Sequence, residues 1–279
     1  MLTTDALLRT AVAGARDDAL VLTLDPVFQG LPDAAHGGTL LALFDTLAER
    51  EASRRVAAHY RRRVPVGVPL TLGLTRAAEC LACRVQDAAG TVLVEGRVER
   101  AAPGDAVAAA SPTGGAPLPV SRTCFACGVD NAMGLRARLA FDERTVGGTW
   151  TPSPAFASRD GRLPPVALTA LLDETAFWLG ALATGESGMT TELSVTLHDE
   201  APDDGPVRVS GDRAAVRPRP DDPRYLDTRV VATDARGRLL ASAVITFVAV
   251  RGAARRLVTG LLGVNPPEIV RPVFPAYTA

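Results

Sequence analysis

Two aspartates set inside apolar stretches are the residues best suited to chemistry in this chain. Asp45 follows Leu-Leu-Ala-Leu-Phe, and Asp173 follows Leu-Thr-Ala-Leu-Leu. A buried carboxylate is costly unless it is paired or used, and apolar surroundings make a carboxyl a stronger base. The alternative for each is a structural Asp bonded to neighbouring strands. Upstream of Asp45, His36-Gly37-Gly38 stands where an apolar helix would begin. A helix N-terminus offers free N–H groups and a partial positive charge, a natural holder for an oxyanion. Glycine there lets a carbonyl approach closely, because no Cβ obstructs it. His36 is either a loop anchor or a hydrogen-bond partner of the substrate. Phe28 and Gln29, in the preceding loop, are candidate substrate contacts, one apolar and one polar. Glu174, about 100° round a helix from Asp173, is expected to face elsewhere.

These residues belong to an internal repeat. Pro-Val-Phe opens the first copy at Pro26 and Pro-Ala-Phe the second at Pro154, and in each an Asp follows nineteen positions later. Phe28 and Phe156 share an offset, as do Leu40 and Leu168, Ala42 and Ala170, Leu43 and Leu171, and Ala48 and Ala176. Shared order over several blocks marks a duplication rather than a common composition.

The elements that must position the aspartates read alike in both copies. An extended opening (19–24; 135–141 and 148–151) leads into a loop and an apolar helix, predicted over 38–57 and 166–183. Alternating, β-branched runs follow at 59–64, 70–76, 79–86 and 92–100, and again at 190–198, 207–216, 225–233 and 239–250. Strand, long helix and four strands make an α+β unit whose sheet must wrap its helix. The expected division is a unit over 1–104, a Pro-, Gly- and Ala-rich linker over 105–123, a second unit over 124–255 and a Pro-rich tail over 256–279.

Composition narrows the possibilities. The 279 residues carry thirty basic groups, all arginine, against thirty-one acidic ones, a net charge of -1. That balance argues against nucleic acid as a partner. No uninterrupted apolar run reaches the length of a membrane span, and the charged N-terminus does not read as a secretory signal. A cytoplasmic location, with no membrane partner, is the expectation.

From Phe28 to Asp45 the chain reads F-Q-G-L-P-D-A-A-H-G-G-T-L-L-A-L-F-D, which resembles the entry loop and central helix of hotdog-fold acyl-CoA thioesterases, most closely the phenylacetate-pathway branch. C-F-A-C-G-V-D-N-A-M-G-L, from Cys124, is similar to openings of the same superfamily. The resemblance implies two tandem hotdog domains, each an antiparallel sheet around a long central helix, paired as an intramolecular pseudo-dimer. It assigns the oxyanion-holding N–H to Gly37, and it implies sites shared between partners. One composite site would then join His36, Gly37 and Gly38 with Asp173. The other would join Asp45 with Pro164-Pro165-Val166, where Pro165 has no N–H to donate, so that second site is expected to be degenerate. Thr190 falls where similar thioesterases carry a hydroxyl that orients water, although an ordinary strand threonine reads the same way. The implied activity is hydrolysis of an acyl-CoA or acyl-carrier-protein thioester by Asp173, as base or nucleophile. Coenzyme A enters as part of the substrate, with no metal or organic cofactor, and a homo-oligomer of pseudo-dimers is implied by single-hotdog relatives. A non-catalytic acyl-thioester binder and a hotdog dehydratase or cyclase remain alternatives.

Two further patterns need a reading. Cys80-x-x-Cys83 and Cys124-x-x-Cys127 form a zinc-like set. The long gap between the pairs, and a strand at 79–86 that turns Cys80 and Cys83 to opposite faces, favour buried structural cysteines. Arg54-Arg55 and Arg61-Arg62-Arg63 could meet coenzyme A phosphates, or could lie on a solvated helix end and edge strand.

Overall fold

The computed structural model describes residues 2–14, 19–48, 53–102, 104, 112, 114–260 and 262–277. After helix α1 (Thr4–Ala11), the first half contains β1 (Ala19–Thr23), α2 (Gly37–Leu47), β2 (Arg54–Tyr60), β3 (Pro69–Ala77), β4 (Cys80–Gln86) and β5 (Val92–Arg100). Short strands β6 (Ala116–Pro117) and β7 (Ala140–Phe141) lead into β8 (Thr145–Trp150), α3 (Pro165–Thr184), β9 (Gly188–Leu197) and β10 (Val207–Asp212). Then come β11 (Arg217–Pro218), β12 (Tyr225–Thr233), β13 (Leu239–Ala249), α4 (Ala253–Thr259) and α5 (Pro267–Val270).

One antiparallel sheet carries these strands in the order β1-β3-β4-β5-β2-β9-β13-β12-β10-β8-β7-β6, with β11 added beside β12. Read inward from each end, β1-β3-β4-β5-β2 and β8-β10-β12-β13-β9 follow the same path. The halves meet where β2 pairs with β9, from Arg54 opposite Leu197 to His59 opposite Glu192. Alternation along β3 and β4 sends Leu70, Leu72, Leu74, Leu81, Cys83 and Val85 inward, the period-two pattern of a sheet with one buried face.

The two helices fill the concave side. α2 buries every residue from Gly38 to Asp45, and α3 buries a continuous run from Val166 to Ala176. α3 is long and apolar enough to suit a membrane span, but 83% of that stretch is buried inside the protein. Pro165 opens α3 at its first turn, where a missing N–H costs nothing. The helices pack closely at Gly38, where a Cβ would lie 2.5 Å from the Thr169 carbonyl oxygen. The Thr169 hydroxyl donates to the Gly38 carbonyl at 2.7 Å across the same contact.

Several boundaries differ from the sequence expectation. α2 ends at Leu47 instead of running to 57. Residues 49–52 lie outside the described residues, and Arg54–Tyr60 is the central strand β2 rather than helix end. Its alternation is masked because Arg54, a charged residue, takes an inward position. The strand expected over 207–216 stops at Asp212 and gives way to a 3-10 turn at Arg213–Ala215. Within the expected linker, 105–111 and 113 lie outside the described residues, while Ala116–Pro117 is already strand. The tail is built from α4, α5 and a 3-10 turn at Pro275–Tyr277, and it buries Leu257, Leu262, Val270, Val273 and Phe274.

Candidate active site

A cavity of about 500 Å³ opens between the halves, lined from one side by the loop before α2 and by the end of β2, and from the other by α3 and the start of β9. Asp173 lies at its floor, 5% exposed. Its Oδ2 accepts the Gly38 N–H at 2.9 Å and its Oδ1 accepts the Thr190 hydroxyl at 2.6 Å. The carboxylate of one half therefore docks on the helix N-terminus of the other, where free amides and the helix dipole favour negative charge.

Gly37 makes this approach possible. A Cβ at Gly37 would lie 2.8 Å from Asp173 Oδ2, closer than van der Waals contact allows. The Tyr60 hydroxyl donates to the Gly37 carbonyl at 2.7 Å and fixes that peptide plane. The Gly37 amide meets no acceptor among the described residues. Burial, then the nearby Asp173 charge, push the Tyr60 phenol well above its usual range, so it remains a donor.

His36 is buried beside both acids of α3. Its Nδ1 is 3.2 Å from Asp173 Oδ2 and its Nε2 is 3.7 Å from Glu174 Oε2. Burial alone would lower its pKa, but the Asp173 and Glu174 carboxylates outweigh that and raise it to about 9. Contrary to the expectation from its position round the helix, Glu174 does not face elsewhere but lines the same cavity. It is 5% exposed, and its Oε1 accepts the Trp178 indole N–H at 2.8 Å. Two long side chains one turn apart bend toward each other, which brings Glu174 to the same cavity as Asp173.

Asp45 has a different environment. Arg54, at the start of β2, grips both of its oxygens, with Nη2 to Oδ2 at 2.8 Å. Each helix aspartate thus takes a partner from the strand that follows it: a guanidinium for Asp45, a hydroxyl for Asp173. The ion pair is buried on both sides and keeps Arg54 away from any phosphate role.

Two candidate substrate contacts are not brought to the cavity. Phe28 is fully buried against Phe125, with ring centroids 5.5 Å apart. The Gln29 side chain turns outward, donating to the Thr123 hydroxyl at 2.7 Å and accepting the Asp33 N–H at 3.1 Å. Both knit the 123–135 loop to the first half. Arg61, Arg62 and Arg63 line the cavity and are exposed, and Arg61 is paired with Glu95. Tyr60 carried no sequence signal, and for Trp178 the spacing of four from Glu174 was the available clue.

Of the cysteines, Cys80 and Cys83 remain on β4, and burial pushes the Cys83 thiol up to about 12. Cys124 and Cys127 line the cavity. The Cys127 thiol donates a hydrogen bond to Cys124, which holds Cys124 below the usual thiol range, while the same hydrogen bond and burial raise Cys127.

No family model and no curated protein matches the chain. Solved structures do. A hot dog fold protein of unknown function from Alicyclobacillus acidocaldarius is 12% identical, with a TM-score of 0.60 over 87% of this chain and 97% of that one. A Thermobifida fusca protein provisionally described as a thioesterase II is 18% identical, with a TM-score of 0.58 over 85% and 94%. The dehydratase domain of PpsC from Mycobacterium tuberculosis, solved in complex with C12:1-CoA, is 18% identical, with a TM-score of 0.54 over 83% and 93%. The chain has the hotdog fold, and these likenesses define its architecture rather than its chemistry.

Proposed function

We propose that the chain is a thioester hydrolase, two tandem hotdog units in one polypeptide, acting on an acyl-CoA or acyl-carrier-protein thioester at a single composite site. The observation that carries this reading is the Asp173 carboxylate of α3 docked on the Gly37-Gly38 N-terminus of α2 inside a shared cavity. The Gly37 N–H would receive the carbonyl oxygen as it becomes an oxyanion, and losing such a donor costs about 2.7–4 kcal/mol of transition-state stabilisation. Asp173 attacks the carbonyl or takes the proton from an attacking water, with Thr190 holding its orientation through Oδ1. The apolar part of the cavity, including Phe177, Trp178, Met189, Leu257 and Leu262, suits an acyl chain. Arg62 and Arg63 at the rim, without ion-pair partners among the described residues, suit coenzyme A phosphates. A second such site is not expected, because Pro165 lacks the amide and Asp45 is neutralised by Arg54.

The proximity of His36 and Asp173, 3.2 Å apart, favours a second reading: a dehydratase that removes water from a β-hydroxyacyl thioester. A histidine held protonated toward pH 9 is a poor base at neutral pH, which weighs for hydrolysis. Thiol release measured across aliphatic and aromatic acyl-CoAs tests the proposal. Enoyl product without free thiol would mean dehydration, and ligand-induced stabilisation with neither product would mean a binder.

A further inference from the structure

The side chains of His36, Cys124 and Glu174 converge in a way the hydrolytic reading does not use. One ligand-type atom from each lies within 4.8 Å of the other two, and all three residues are buried. Cys127 stands beside this triad, hydrogen-bonded to Cys124 and Glu174, but is not within the 4.8 Å spacing that joins the other three. Three donors of the kinds that bind transition metals thus meet at one point, from three separate parts of the chain, with a fourth next to them.

The local backbone is shaped for a metal knuckle. The Ala126 N–H points at the Cys124 sulfur at 3.3 Å, and the Gly128 N–H closes the turn on the Cys124 carbonyl at 2.9 Å. A Cβ at Gly128 would lie 2.3 Å from that oxygen, so the turn requires glycine. An amide aimed at sulfur stabilises a thiolate, the form that binds metal. Beyond the four donors, each neighbouring group is oriented to support a bound cation. His36 Nδ1 faces Asp173 Oδ2, which leaves Nε2 directed at the cluster. Trp178 occupies Glu174 Oε1, which leaves Oε2 available. A carboxylate behind a ligating histidine, and a hydrogen-bond donor on a ligating carboxylate, are the usual outer shell of zinc sites.

We infer that His36 Nε2, Cys124 Sγ, Cys127 Sγ and Glu174 Oε2 form a closed, tetrahedral zinc(II) site. Two sulfurs, one imidazole and one carboxylate are a donor set that selects zinc over calcium or magnesium. Ligands at zinc bond lengths stand about 3.3–3.8 Å apart, so the triad contracts by about 1 Å and the neighbouring Cys127 thiol turns in to complete the set. With four protein ligands the ion has no open position, and its role is structural. It clips the 124–127 turn to the start of α2 and to α3, and it fixes His36 as a positioning residue for Asp173. The inference does not depend on the hydrolytic reading: zinc would take the place of the His36 Nε2 proton, and an imidazole so bound is no better a base than a protonated one.

Metal analysis of the full chain, purified from zinc-supplemented medium without chelators, should find one zinc ion per chain. Replacing zinc by cobalt(II) should give the thiolate charge-transfer absorption and intense visible bands of a tetrahedral site. That spectrum is read on the unaltered protein, so it decides even if variants fold poorly. Cys127→Ser should lower metal content at least tenfold, Trp178→Phe should weaken affinity about tenfold or more, and the Cys80→Ser/Cys83→Ser pair should change neither. Unaltered protein that carries no zinc and shows no cobalt–thiolate absorption would overturn the inference. So would a Cys124–Cys127 disulfide in the purified chain, or zinc retained in a Cys124→Ser/Cys127→Ser variant.

Discussion

At the scale of single residues, the two helix aspartates are the test of the site assignment. Asp173→Asn keeps the size of the side chain but can neither attack nor take a proton, and should lower kcat/KM by about 10²–10⁴-fold. Asp45→Asn should leave kcat/KM nearly unchanged. Its effect falls on stability, because Arg54 is left buried without its counter-charge. Breaking a buried pair costs about 3 kcal/mol or more, a fall in Tm of about 6–12 °C. Equal losses of activity at the two positions would show that the composite site is misassigned. Gly37→Ala is a third probe, since its methyl would push on Asp173 Oδ2. Loss of about 10²-fold or more in kcat with the melting temperature held is the expected outcome. Legibility at this scale was uneven. Asp173 stood out through the repeat, Gly37 through the His-Gly-Gly motif, and Thr190 through the resemblance. Phe28 and Gln29 stood in the same loop, yet their side chains serve the 123–135 segment, a contact between residues about a hundred positions apart. Sequence spacing alone carries no record of such a contact.

At the scale of elements, the tail matters more than its irregular composition indicates. Glu186 accepts the Gly252 and Ala254 amides at 3.1 and 3.2 Å and the Tyr277 hydroxyl, tying the start of α4 and the chain's end to the α3–β9 turn. Burial would raise the Glu186 pKa, but the Tyr277 and backbone bonds outweigh it, so the carboxylate lies below its ordinary range. A depressed carboxyl stabilises above its unfolded pKa and loses that contribution as pH falls through the folded value. Tail docking should therefore weaken below about pH 4.3. Amide exchange in α4, measured against pH, should accelerate there in the native chain, and Glu186→Gln should already exchange faster at pH 7. An α4 whose exchange is indifferent to both changes would refute the anchoring. The misread end of α2 belongs to this scale as well. Arg54-Arg55-Val56-Ala57-Ala58 favours helix locally, and the pairing of β2 with both β5 and β9 overrides it. Tertiary pairing of that kind is invisible in local propensity.

For the whole molecule, the strand path repeated in both halves was foreshadowed by the repeat, and their pairing was implied by the resemblance, while which strands make the junction was not legible. β2 and β9 hydrogen-bond over six residue pairs, and α2 packs on α3 through Gly38. These contacts, rather than the covalent connection, should hold the site together. A protease site inserted within 105–111 tests this. After cleavage the fragments should co-elute on size exclusion and keep the thioester turnover proposed for the intact chain. Fragments that separate under native conditions would show that the connection itself is structural. The homo-oligomer expected from the resemblance should appear in light scattering on the uncleaved chain as a mass above 29.1 kDa, and a mass of 29.1 kDa would refute it.

The junction of β2 with β9 inside one polypeptide has an evolutionary consequence. A homodimer built from one gene writes every substitution into both of its sites at once, so neither can be sacrificed. Here the position after the entry loop is encoded twice, as Gly37 in one half and Pro165 in the other. Proline at the second codon disables nothing at the first, and selection acts on the two as separate loci. On the proposed assignment, the second composite site was released as a whole, and its aspartate, Asp45, stands in an ion pair with Arg54. The Cys-x-x-Cys turn, carried by only one of the two openings, could arise without needing room for a mirror copy.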